Sequence, residues 1–219
     1  MKLQELYKEI REAERWWLIL VVFFKPMIPL ELIALTGFKK NYITFILKKF
    51  LEKGIMYCLF PDNITGRIYT LTDLGIRLRK MIIDDLDEKG WKEFLDKGVT
   101  YEFRIFPSSL NLDLYRHVVS GKDRREFIIL MRKVMVEEKK NCFTAMDIFL
   151  FYDTEENKID ITKDKQTPST EIYRVAWDFV KLGILAPLRI GKRGVAFKFT
   201  EQGSIIAEQF QYKHFRLTL

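Results

Sequence analysis

The sequence predicts a mainly α-helical chain with small β-hairpins, an α+β fold made of two similar units in tandem. Three observations lead there. Apolar residues recur at helical spacing in segments punctuated by Gly and Pro. A pair of short β-like runs follows the clearest helix, and the same order of signals returns in the second half of the chain.

The first helix is expected over residues 4–24, where Leu6, Tyr7, Ile10, Ala13, Trp17 and Leu20 share a face and residues 16–24 are apolar all round. Such an end needs a cover, supplied either by its own domain or by a second subunit, so residues 4–24 are a candidate homodimer interface. Pro26 stops this helix. Pro29 opens a short helix over 30–35 that Gly37 closes. The helix over 40–53 sets Ile43, Ile46, Leu47, Phe50 and Leu51 on one side and is capped by Gly54. Strands are expected over 55–60 and 67–71, and Thr72 then caps a helix that runs through Ile83.

Aligning Gly54 with Gly183 exposes the repeat. Ile43, Ile46 and Leu47 fall on Ile172, Val175 and Ala176, and the Thr72-Asp73-Leu74-Gly75 segment falls on Thr200-Glu201-Gln202-Gly203. The second unit is expected to hold helices over 123–140, 145–152 and 168–182, then a hairpin over 185–199 with Gly191-Lys192-Arg193-Gly194 at its tip. The domains read as 1–83 and 122–219, with 84–121 as an acidic spacer or dimerisation segment; within it residues 99–106 alternate like a strand.

Helix, short helix, turn, helix, hairpin, helix is the order of a winged helix-turn-helix. Residues 28–80 resemble the winged-helix transcription regulators of the MarR and PadR kind. The resemblance rests on the Gly37 turn, the Ile43-x-x-Ile46-Leu47-x-x-Phe50-Leu51-x-x-Gly54-Ile55 helix and the Tyr69-x-Leu71-Thr72-x-x-Gly75 segment. Residues 143–205 resemble them less closely because 153–166 lengthen the turn between the two helices. The resemblance implies a recognition helix in the major groove and a wing near the minor groove. Most such regulators carry one winged helix per chain and dimerise, whereas this chain holds two.

Charge placement agrees with a nucleic-acid partner. The chain carries Lys+Arg 37 against Asp+Glu 30, a net +7; residues 1–83 contribute +6, 84–121 −3 and 122–219 +4. Candidate DNA-contacting residues on the first recognition helix are Lys39, Lys40, Asn41, Tyr42, Thr44 and Lys48, with Arg67 from the wing. On the second they are Ser169, Thr170, Tyr173 and Arg174, with Lys192 and Arg193 from the wing tip. Lysines reach guanine or phosphate, and Asn41 can pair bidentately with adenine.

Other functions lack their residues. Cys58 and Cys142 have no C-x-x-C spacing, and with only His117 and His214 they assemble no zinc site. They read as buried thiols in a reducing cytoplasm, or as a disulfide if the source is a hyperthermophile. The acidic residues of 153–166 do not match a calcium loop, and no P-loop, G-x-G-x-x-G, G-x-S-x-G or H-E-x-x-H is present. No cofactor and no enzymatic activity are expected. The nine-residue apolar run over 16–24 is too short to span a bilayer, so a soluble, cytoplasmic protein is expected. The expected function is double-stranded DNA binding by a sequence-specific transcription regulator. The alternatives are a plasmid or virus replication or partition initiator, and a winged-helix protein-interaction scaffold without DNA binding.

Overall fold

A computed structural model describes residues 3–63, 66–86, 88–152, 168–190 and 194–210, without the side chains of 88, 89, 122, 149–152, 168–171 and 190. The chain is mainly helical with two small antiparallel sheets. It divides into two compact units, one ending at Phe106 and the other beginning at Pro107. The acidic stretch 84–121 is thus shared between them rather than standing apart.

In the first unit the expected helix over 4–24 is two helices, α1 (Leu3–Glu12) and α2 (Trp16–Val22). They are separated by a bend in which Arg15 has φ 64°. The bend lets α1 lay Leu6 and Ile10 on the core while the apolar-all-round α2 enters it. Ile19 through Phe24 are at most 2% exposed and share one core cluster with residues of α1 and of the helices that follow. The chain's own residues therefore cover α2.

Two more helices follow, α3 (Pro29–Thr36) and α4 (Lys40–Glu52), joined by a tight turn at Gly37. The start of α3 is fixed by a buried ion pair. Lys25 Nζ lies 3.1 Å from Glu31 Oε1, and Glu31 Oε2 accepts the Ile28 N–H at 2.9 Å. Burial holds Lys25 below its ordinary pKa, against the opposing pull of Glu31.

Strands β1 (Met56–Cys58) and β2 (Tyr69–Leu71) pair antiparallel with Met56 opposite Leu71. Both are shorter than expected. A third strand contact, absent from the sequence reading, joins Met27 to Tyr69 through two reciprocal backbone bonds of 2.9 Å. Helices α5 (Asp73–Asp84) and α6 (Glu88–Asp96) complete the helices of this unit.

The strand expected over 99–106 does not form. Its backbone groups are met one at a time: Arg104 N–H donates to the Phe24 carbonyl at 2.7 Å, and the carbonyls of Thr100 and Tyr101 accept from the Arg79 guanidinium. Arg79, on α5, also donates twice to the Val21 carbonyl at the end of α2. Of the alternating Tyr101, Phe103 and Ile105, Phe103 stacks on Phe23 at the core, while Tyr101 is exposed and Ile105 is 77% exposed.

The second unit contains α7 (Leu112–Ser120), α8 (Lys122–Glu137), β3 (Phe143–Thr144), α9 (Ala145–Tyr152), α10 (Pro168–Lys181), β4 (Leu185–Ile190), β5 (Gly194–Phe199) and α11 (Glu201–Glu208). Its sheet has the order β3-β5-β4, with Phe143 opposite Phe197 and Pro187 opposite Phe197 on the other side. Strand β3 stands before α9 as Met27 stands before α3, so the missed third strand occurs in both units.

The junction after α4 and after α10 is the same in atomic detail. Gly54 and Gly183 take left-handed φ of 66° and 71°, which reverses the chain without a Cβ clash. Ile55 N–H donates to Phe50 and Ile184 N–H to Phe179, each at 2.9 Å. Thr72 Oγ1 donates to the Gly54 carbonyl at 2.7 Å, and Thr200 Oγ1 to Gly183 at 2.6 Å. Each threonine oxygen then accepts the N–H of Gly75 or Gly203, capping α5 or α11.

Those two glycines are the tightest points of the frame. A Cβ on Gly75 would meet the Ile55 carbonyl oxygen at 2.1 Å, and one on Gly203 would meet that of Ile184 at 2.0 Å. Backbone is on both sides of each contact, so neither can relax cheaply. Gly75→Ala and Gly203→Ala are each expected to cost roughly 2 kcal/mol or more, as overpacking does. Urea unfolding measures this, and an undiminished midpoint in either variant would show that its junction is loose.

Candidate nucleic-acid interface

The α3–turn–α4 segment sets α4 on the surface with one face inward. Ile43, Ile46, Leu47 and Phe50 are buried, which fixes the rotation of the helix and turns Lys40, Asn41, Thr44 and Lys48 outward. These four positions form one strip along the helix, about 12 Å from Lys40 to Lys48 by helical rise. That length is comparable to the width of a major groove, about 12 Å.

The strip is electrically one-sided. Lys39, which precedes the helix, and Lys40 and Lys48 are exposed, and their ammonium groups form no hydrogen bond or ion pair among the described residues. Asn41 is exposed too, and its amide makes no hydrogen bond among the described residues. Thr44 Oγ1 donates to the Lys40 carbonyl at 2.9 Å, a bond within the helix that leaves the hydroxyl oxygen able to accept. Of the carboxylates nearby, exposed Glu14 lies 3.4 Å from Arg15 at the bend before α2. Glu31 of α3 is buried on Lys25, and Glu52, at the far end of α4, pairs with Lys49 at 2.9 Å.

Tyr42 has a different place from the other candidates. Its hydroxyl donates to the Glu14 carbonyl at 2.5 Å, and its ring meets Phe38 edge-on at 5.3 Å. Desolvation raises the pKa of this phenol, Glu14 raises it further and Arg15 opposes them. Tyr42 thus ties α4 to the bend between α1 and α2 while remaining half exposed. Phe45, half exposed, packs edge-on to Trp16 at 6.3 Å and lies under the Lys49 ammonium. Arg67, just before β2, is exposed, and its Nε donates to the Asn63 carbonyl at 2.7 Å to brace the hairpin.

The corresponding face of α10 is built from other chemistry. Tyr173 and Trp177 stand edge-on to Phe197 at 6.2 and 5.7 Å, and about 40% of each is exposed. Arg174 and Lys181 each lie 3.5 Å from Asp178. The side chains of Ser169 and Thr170, and all of Lys192 and Arg193, lie outside the described residues. So does the acidic segment 153–166.

Cys58 and Cys142 are free, half-buried thiols. Among the described residues no group of His, Cys, Asp and Glu could hold a metal, and no helix is long and apolar enough to cross a membrane. No family model matches this chain, and no curated protein matches it in sequence, so its function is read from its own residues.

The placement of Tyr42 separates support from contact. Tyr42→Phe keeps the ring on Phe38 and removes the bond to Glu14, with an expected loss of about 1 kcal/mol in stability. Its affinity for any ligand of the lysine strip should be close to that of the parent. Unfolding and binding titrations on the same preparation test this, and a large affinity loss at unchanged stability would return Tyr42 to the contact surface.

Proposed function

We propose that this chain is a double-stranded DNA-binding protein whose two units are winged helix-turn-helix domains in tandem. In this reading α3 and α4 form the helix-turn-helix of the first unit, α9 and α10 that of the second, and the hairpins β1–β2 and β4–β5 are the wings. The observation that carries the reading is the strip on α4: two unpaired lysines, Lys40 and Lys48, beside Asn41 and Thr44, with Lys39 just before them, on a helix whose inner face is locked into the core.

The chemistry follows from that strip. Lys39, Lys40 and Lys48 neutralise backbone phosphates and release counterions, which supplies affinity without sequence information. Asn41 and Thr44 present donors and acceptors to base edges, which supplies discrimination. The protein is then a sequence-specific regulator of transcription. A replication or partition initiator would use the same contacts, and the location of the bound sites distinguishes the two roles. A second reading, a protein-interaction scaffold, is favoured by one observation on the other unit: the half-exposed Tyr173 and Trp177 on α10, beside cations already paired with Asp178.

Fluorescence anisotropy on a 30-base-pair duplex across a salt series tests the proposal. Affinity should fall steeply with salt, and Lys40→Ala/Lys48→Ala should reduce the slope of log K against log salt by about two units. Salt-independent or undetectable binding by the parent protein would remove the DNA reading and leave the scaffold.

A further inference from the structure

Arg15 occupies a position that a side chain rarely takes. Its backbone is left-handed, φ 64° and ψ 5°, between the end of α1 and the start of α2. Arg15 and Lys139 are the positive-φ residues other than glycine among the described residues. Lys139 follows the end of α8, where a left-handed residue satisfies orphan helix carbonyls. At Arg15 no side-chain bond is made at the start of α2, and the backbone bond across the bend is a long one, from the Trp16 N–H to the Ala13 carbonyl at 3.4 Å. Glycine or asparagine would hold this conformation at lower cost.

The bend delivers the guanidinium to a specific place. Arg15 Cζ lies 5.6 Å from the centre of the Phe38 ring, and Phe38 directly precedes Lys39 and Lys40. Phe38 is held in turn by Tyr42, whose hydroxyl bonds to Glu14, the residue next to Arg15. The loop of contacts from Glu14 to Tyr42 to Phe38 to Arg15 is closed, so the bend and the start of α4 position each other. A guanidinium resting over an aromatic face keeps its rim of N–H donors for another acceptor. The carboxylate at hand is that of its neighbour Glu14, 3.4 Å away and 82% exposed, a water-screened pair that is readily exchanged.

We propose that Arg15 is a phosphodiester contact of the DNA interface, retained in a strained backbone because the bend carries its guanidinium to the start of α4 beside Lys39 and Lys40. This rests on the duplex-binding reading above. It adds to the interface a residue from outside the helix-turn-helix, one that fixes the position of α4 on the backbone and not the sequence it reads.

The test uses the full chain with Arg15→Gly, Arg15→Asn and Arg15→Lys, measured by thermal melting and by duplex titration from 50 to 200 mM salt. Gly and Asn should relieve the backbone, with Asn raising the melting temperature by roughly 2 °C. Both should lower the salt slope by about 0.9 and weaken binding several-fold at 50 mM salt. Lys keeps the charge and should keep the slope. A neutral variant that melts higher yet binds with the parental slope would overturn the phosphate contact. Neutral variants that melt no higher would overturn the strain on which it stands. Absence of salt-dependent binding in the parent protein would remove the duplex reading first, a result visible before any variant is compared.

Discussion

The first unit depends on one buried cation. Arg79 is 1% exposed, and burial lowers its pKa to about 10, so it remains protonated at neutral pH. Its recorded partners are carbonyl oxygens of Val21, Thr100 and Tyr101. A guanidinium suits this task because its five donors diverge in a plane and can serve several acceptors at once. The carbonyl of Val21 belongs to the last turn of α2, where no helical N–H is available to it. One side chain therefore ends α2, holds it against α5 and fastens the segment after α6 to the same core. Alpha-helix α2 must be surrounded because it is apolar all round, and Arg79 is what keeps the surrounding segments in place.

From that frame the outer surface follows. Once α2 fills the centre, α3 and α4 pack across it, and the rotation of α4 is set by Ile43, Ile46, Leu47 and Phe50. The second unit uses the same junction, with equivalent glycines, threonine caps and carbonyl contacts, yet carries aromatic rings and an Arg–Asp–Lys group where the first carries free lysines. Frame and surface thus vary independently. A helix whose inner face is fixed by packing can exchange its outer residues with little effect on the fold, and this is how one architecture comes to meet different partners.

Much of the frame was legible in the residues because it is local. The Gly54 and Gly183 caps, the Thr72 and Thr200 caps, and the inner face of α4 each depend on a few neighbours in sequence, and the internal repeat made each one count twice. The bend at Arg15 was not legible, since no Gly or Pro marks it and the hydrogen bond that ties it to α4 comes from Tyr42, far along the chain. The contact of Met27 with Tyr69 is a single bridge, too short for any alternating pattern to reveal. Residues 99–106 misled for the opposite reason. They alternate, but the carbonyls of Thr100 and Tyr101 are satisfied by a side chain from α5 instead of a neighbouring strand. The lysine strip was legible as composition, whereas the support role of Tyr42 and the position of Arg15 required the fold.

The pair of Lys25 and Glu31 also bears on descent. Both side chains are almost fully enclosed, and their charged atoms lie 3.1 Å apart. Loss of either alone removes the opposite charge from an enclosed group, while replacing both with apolar residues of similar volume is far less damaging. A lineage can leave this arrangement only by an improbable paired step, or by passing through a poorly folded ancestor. The two positions should therefore be inherited as a unit, an ion pair in some branches and a hydrophobic contact in others, with mixed states scarce.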